Sequence, residues 1–108
     1  MIETRMLTHL ERLLDVTAAR QRIVAENIAN VDTPGYRTRD LDFRAALSEA
    51  GSLNALEVRG LVERPDGNNV DLDREGLLVA ANQMQYRLGT QLLRTEFRRI
   101  LSAIQETR

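Results

Sequence analysis

Between Asp71 and about Gln105 the sequence places two apolar stripes on a single helical cylinder. On a wheel of 100° per residue, Leu77, Ala81, Met84, Leu88 and Leu92 fall on one side. Val79, Tyr86, Leu93, Phe97, Ile100 and Ile104 fall on nearly the opposite side. A polar ridge of Gln83, Arg87, Gln91, Arg94, Arg98 and Gln105 runs between them. One partner helix covers one such stripe, not two. Leaving Leu93, Phe97, Ile100 and Ile104 in water forgoes roughly 6–12 kcal/mol, at ~1.5–3 kcal/mol per side chain and as an upper estimate. That is comparable to the whole stability of a small domain. Either the middle of the chain folds over the second stripe, or other subunits cover it; the pattern favours self-assembly.

The partner for the first stripe lies at the other end of the chain. In residues 3–31, Leu7, Leu10, Leu14, Thr17, Gln21, Val24, Ile28 and Val31 alternate in spacings of three and four, the seam of a heptad pattern. Met6, Leu13, Ala18 and Ala25 widen that seam, and Glu11, Arg12, Asp15, Arg22 and Glu26 form an opposite, solvated face. This helix is about 43 Å long and the C-terminal one, over 71–106, about 50 Å. The fold class expected is mainly α. The two long helices pair as an antiparallel coiled coil, with Leu7, Leu14 and Ile28 meeting Leu77, Met84 and Leu88. With 108 residues the chain is a single domain, 1–108.

The segment 32–70 joins them. Pro34 pushes Thr33 out of helical geometry, and Pro34-Gly35 suits the central positions of a type II turn. Asp40 or Asp42 can cap a short helix with Phe43, Ala46, Leu47 and Ala50 on one face and Gly51 as its stop. Val58 to Val62 has some strand character and Arg64-Pro65-Asp66-Gly67 signals a turn, so a short hairpin or an ordered loop is allowed here. Asp71, Asp73 and Glu75 put negative charge at the start of the second long helix.

Composition removes most chemistry. There is no cysteine and one histidine, His9, which excludes thiol chemistry, zinc knuckles and His-rich metal sites. No phosphate loop or nucleophile motif is present, and Asp66-Gly67-Asn68-Asn69-Val70-Asp71 misplaces the glycine of a calcium loop. The reading is no enzyme and no cofactor. Fifteen basic residues, all arginine, balance sixteen acidic ones, so no whole-molecule field attracts nucleic acid. No apolar run is long enough to span a bilayer, and the N-terminus has no secretory-signal pattern.

The run ENIANVDTPGYRTRDLDF, Glu26 to Phe43, resembles the N-terminal signature shared by the rod and hook family of bacterial flagellar axial proteins. Arg39-Asp40-Leu41-Asp42-Phe43, DGNNVDLDRE from Asp66 to Glu75, and NQMQYR from Asn82 to Arg87 resemble a proximal rod subunit of that family. The likeness covers nearly the whole chain. It departs in a short middle segment, in Gly76 where a larger apolar residue is expected, and in arginine for every lysine. The resemblance implies a structural subunit that polymerises through its terminal helices into the proximal drive shaft and export channel of the basal body. It implies other rod subunits, the rod–ring adapter, the inner-membrane ring protein and the type III export gate as partners. It also implies a place in the rod, on the periplasmic side, reached without a cleavable signal peptide.

On this reading Asn27, Asn30, Pro34, Gly35, Tyr36, Leu93, Phe97, Ile100 and Ile104 meet neighbouring subunits. Phe43 and Leu47 resemble an export-gate recognition segment. Gln83, Arg87, Gln91, Arg94 and Arg98 line the lumen. The rival from another class is a soluble helical adaptor that binds one partner protein through its exposed stripe; a second is a small nucleic-acid-binding helix pair.

Overall fold

A computed structural model of the chain describes residues 2–48 and 51–106. Helix α1 spans Ile2–Ala29 and helix α3 spans Leu72–Glu106. Between them come strand β1 (Arg39–Asp40), helix α2 (Phe43–Leu47) and strand β2 (Leu56–Glu57). The long helices run antiparallel: Asn27 meets Glu75, Thr17 meets Asn82, and Leu14 lies against Gly89. The molecule is a rod of 68 × 25 × 17 Å.

Helix α1 is the central element because it is covered on two faces. Leu10, Thr17 and Val24 of the heptad line are buried, while Ile28 of the same line stays exposed. The second face is Val16, Ala19 and Ile23, which pack with Leu41 and Ala46, flanked by Phe43, Leu47 and Ala55. The middle segment therefore folds over α1, not over the spare stripe of α3. Arg12, expected in water, instead donates to the carbonyls of Ala46 at 2.7 Å and Gly51 at 2.8 Å. Its guanidinium stitches this layer to α1.

Helix α1 ends at the expected place. The amide of Tyr36 donates to the carbonyl of Thr33 at 3.2 Å, and Gly35 has φ of 75°, which closes the type II turn around Pro34-Gly35. Of the two candidate caps for α2, Asp42 takes the role by accepting from the Ala45 amide at 3.2 Å. Asp40 instead enters β1. Ala50 lies outside the described residues. The strands form one antiparallel pair, Arg39 opposite Glu57 and Asp40 opposite Leu56, so the Val58–Val62 strand is replaced by a ladder two residues upstream. Asp71 caps α3 through its Oδ1, which accepts from the amides of Asp73 and Arg74.

The pairing of α3 overturns the seam read from the wheel. Its buried residues are Glu75, Asn82, Gly89 and Glu96, spaced by seven and none of them large and apolar. Leu77 and Met84, placed in the seam by sequence, are 73% and 72% exposed, and Leu88 is exposed beside them. Leu93 and Ile100, assigned to neighbouring subunits, are half-buried on the α1 side. At Gly89 the two helices approach so closely that an added Cβ would stand 3.0 Å from Leu14 Cδ2 and 3.5 Å from Leu13 Cδ2. A large side chain at position 89 does not fit there.

The two glycines of α3 are therefore expected to respond oppositely. A Cβ on Gly76 meets nothing within 4 Å, so Gly76→Ala should raise stability by about 0.5–1 kcal/mol through helix propensity. Gly89→Val should lower it by about 1–3 kcal/mol by overpacking. Urea denaturation of the two variants checks the signs.

Candidate functional site

Two features stand out: a polar latch where the helices meet the loops, and an uncovered outer surface. The latch centres on Asn27, which is 0% exposed. Its Nδ2 donates to the Arg39 carbonyl at 2.7 Å and to Glu75 Oε2 at 3.2 Å. Its Oδ1 accepts from the Tyr36 hydroxyl at 3.0 Å and from the Arg39 amide at 3.1 Å. Both donors and both lone pairs are used, so this one side chain ties α1 to the signature loop and to the first turn of α3. Asn27 thus faces inward, and its bonding capacity is spent within the subunit.

Asn68 repeats the arrangement in the second signature. It donates to the carbonyls of Asn30 at 2.9 Å and Thr33 at 2.8 Å, and accepts from Arg64 at 2.7 Å and the Val70 amide at 2.8 Å. Arg64 also donates to the carbonyls of Val31 and Val70. Carbonyls left over where α1 ends are met by this cluster. Asn69 Oδ1 accepts from the Thr38 amide at 2.6 Å, while its Nδ2 has no partner. Asn30 acts locally, donating to the Glu26 carbonyl and accepting from Thr33.

Charge is handled by a relay. Glu75 is fully buried and accepts from Arg74 at 2.8 Å. Arg74 reaches Asp40 at 3.5 Å, and Asp40 takes a two-point bond from Arg20 at 3.1 and 2.8 Å. The Arg20 guanidinium lies 5.4 Å from the ring centre of Phe43, which links the relay to α2.

Burial, reinforced by the negative charges of Glu26 and Glu75 against the opposing Arg39, raises the Tyr36 phenol above its ordinary 10.0. A folded value above the unfolded one means that this stability is complete below pH 10.0 and is lost as pH rises through the folded value. Tyr36→Phe should remove that alkaline step while lowering stability at neutral pH by about 0.5–1.5 kcal/mol for the lost hydrogen bond. Thermal melts across the alkaline range measure both effects.

The outer surface carries most of the large apolar side chains of α3. Leu77, Met84, Leu88 and Leu92 form an exposed line on one side of the helix, and Leu101 and Ile104 are exposed toward the C-terminus on the side away from it. Phe97 and Ile104, named from sequence, are each 50% exposed. Pro34 and Gly35 are also at the surface, and Tyr36 is half-buried. Phe43 and Leu47 are half-buried against the α1 cluster. The polar ridge is exposed, and Gln83, Arg87, Gln91 and Arg94 form one wall of a groove of about 840 Å³ between α1 and α3. Thr17, Ala18, Gln21, Arg22 and Ala25 form the other wall, and Arg98 lies beyond it.

Among the described residues no cluster of His, Cys, Asp or Glu is arranged to hold a metal ion. Among them, too, no helix is long and apolar enough to cross a membrane.

Residues 6–37 match a family model described as flagella basal body rod protein. The chain is similar to the flagellar basal body rod protein FlgB of Salmonella typhimurium, 30% identical over 123 residues that cover 88% of this chain and 89% of the relative. FlgB of Escherichia coli is 31% identical with the same coverage. FlgB of Borrelia hermsii is 33% identical over 118 residues, covering 82% and 87%. The alignment with the Salmonella protein is longer than this chain of 108 residues, so the relative holds positions with no counterpart here.

Proposed function

Because the chain belongs to the FlgB family of flagellar basal body rod proteins, and is a structural subunit of that rod, we propose a division of labour between its two surfaces. Polar locks fix the helix pair, and the exposed apolar line of α3 is reserved for neighbouring subunits. The observation that carries this reading is the inversion of α3, with Glu75, Asn82 and Glu96 inside and Leu77, Met84 and Leu88 outside. Polar groups in a seam lower stability but specify register. A shaft that transmits torque needs register, and its apolar contacts are most useful between subunits.

The same reading extends to assembly. The subunits enclose a channel and join the proximal rod to the rod–ring adapter, the inner-membrane ring and the distal rod. The chain reaches the periplasmic side through the type III export gate. Phe43 and Leu47 serve as the gate's recognition segment while the chain is unfolded; their packing against Val16, Ala19 and Ile23 supports recognition before folding.

Hydrogen exchange on the purified chain, at rising concentration and in isolated basal bodies, tests the proposal. Amides of 101–106, where every residue is exposed, should exchange fast in the monomer and slow on association. A monomer protected throughout at every concentration would favour a soluble adaptor instead.

A further inference from the structure

The net charge of −1 hides a spatial sorting of charge. The groove between α1 and α3 is lined by Arg22, Arg87 and Arg94 and by no carboxylate. Among the described residues, none of these arginines forms an ion pair. Small or flat side chains, Ala18, Ala25 and Tyr86, also line the groove. Asn82, 3% exposed, adds a carbonyl oxygen with no partner.

The opposite sign gathers at the end of the molecule where α1 stops and α3 starts. Asp32, Asp66, Asp71 and Asp73 are exposed there, and none is in an ion pair. Arg64, the nearby cation, is occupied by carbonyls and Asn68. Between Asp71 and Asp73 stands Leu72, 52% exposed.

We propose that the groove receives the Asp71-Leu72-Asp73 corner of a second copy of this chain. Leu72 sits against Ala18, Ala25 and Tyr86, and the aspartates face Arg22, Arg87 and Arg94. The pairing matches an apolar anchor flanked by acids to an apolar floor rimmed by unpaired cations. It rests on the rod reading above and names one of its contacts. Groove and corner are different surfaces of the subunit, so a single such contact leaves one groove and one corner free, to which further copies can add. It also gives Arg87 and Arg94 a role at a subunit contact in place of the lumen.

A charge swap tests the proposal in a flagellated cell that depends on this chain, with basal-body incorporation and secretion of later subunits as readouts. The side chains are exposed, so the variants keep the monomer's circular dichroism. Arg87→Glu with Arg94→Glu should cut incorporation on the order of tenfold, and so should Asp73→Arg alone. Combined in one chain, the three changes should restore it. Reversals that leave incorporation intact would overturn the contact, and altered secretion beside intact incorporation would return the ridge to the lumen. Loss in every variant without rescue by the combination would also overturn it. In these cases the rod reading stands, because the unmodified chain still enters basal bodies. A chain that never enters them removes the contact and the rod reading together.

Discussion

Replacing Met84 and Leu88 together by glutamate is expected to leave the isolated subunit as stable as before and to abolish its incorporation into the rod. Both side chains are mostly in water, and surface substitutions of this kind shift stability by about 0.5 kcal/mol or less. Assembly responds differently. Full burial of a leucine or methionine contributes ~1.5–3 kcal/mol, so losing two at a contact removes roughly 3–6 kcal/mol. That weakens each contact by about two to four orders of magnitude. Burying the introduced carboxylates adds a further cost. The paired measurement is a urea melt of the monomer beside quantification of the chain in purified basal bodies. A monomer that unfolds instead would mean that these residues belong to the internal core.

The second large effect is internal. Asn27→Ala should destabilise the subunit by about 3–5 kcal/mol, because it strips a partner from the buried Glu75 carboxylate and from three neutral groups at once. Domains of this kind are stable by only about 5–15 kcal/mol, so the change removes a large share. The urea midpoint should fall with little change in slope. Asn27→Asp, of the same shape, should not restore stability, since it sets a second carboxylate where the Asn27 amide now stands 3.2 Å from Glu75 Oε2. A loss below about 1 kcal/mol for the alanine variant would show that the latch is redundant.

The periodicity of α1, the Thr33–Tyr36 turn and the start of α3 at Asp71 were all legible in the sequence, since each follows from local chemistry. The inversion of α3 was not. A hydrophobicity wheel assigns apolar residues to the interior and polar ones to water, which holds for most helices. Here the interior positions are Glu75, Asn82, Gly89 and Glu96, and their partners Asn27, Arg74, Thr17, Leu14 and Arg99 lie up to dozens of residues away. The regular spacing of these four by seven was visible, but only the close approach at Gly89 gives it meaning. The Val16, Ala19, Ile23 face had a helical spacing of its own. The heptad line, which already accounts for the helix, masks it. The pairing of Arg39–Asp40 with Leu56–Glu57 is too short to carry a period. At the candidate site, Phe97 and Ile104 were found on the surface as the wheel suggested, and Asn27 was found inside it.

Met84 offers the most direct measurement of the central claim, that this subunit keeps polar groups for its own seam and leaves apolar ones for its neighbours. Its thioether is a chemical probe of solvent access, and oxidation rates follow exposure. In the isolated chain, 72% exposed, it should react with dilute peroxide at nearly the rate of free methionine. In assembled basal bodies the account predicts a rate at least about tenfold lower. Equal rates in the two states would contradict it.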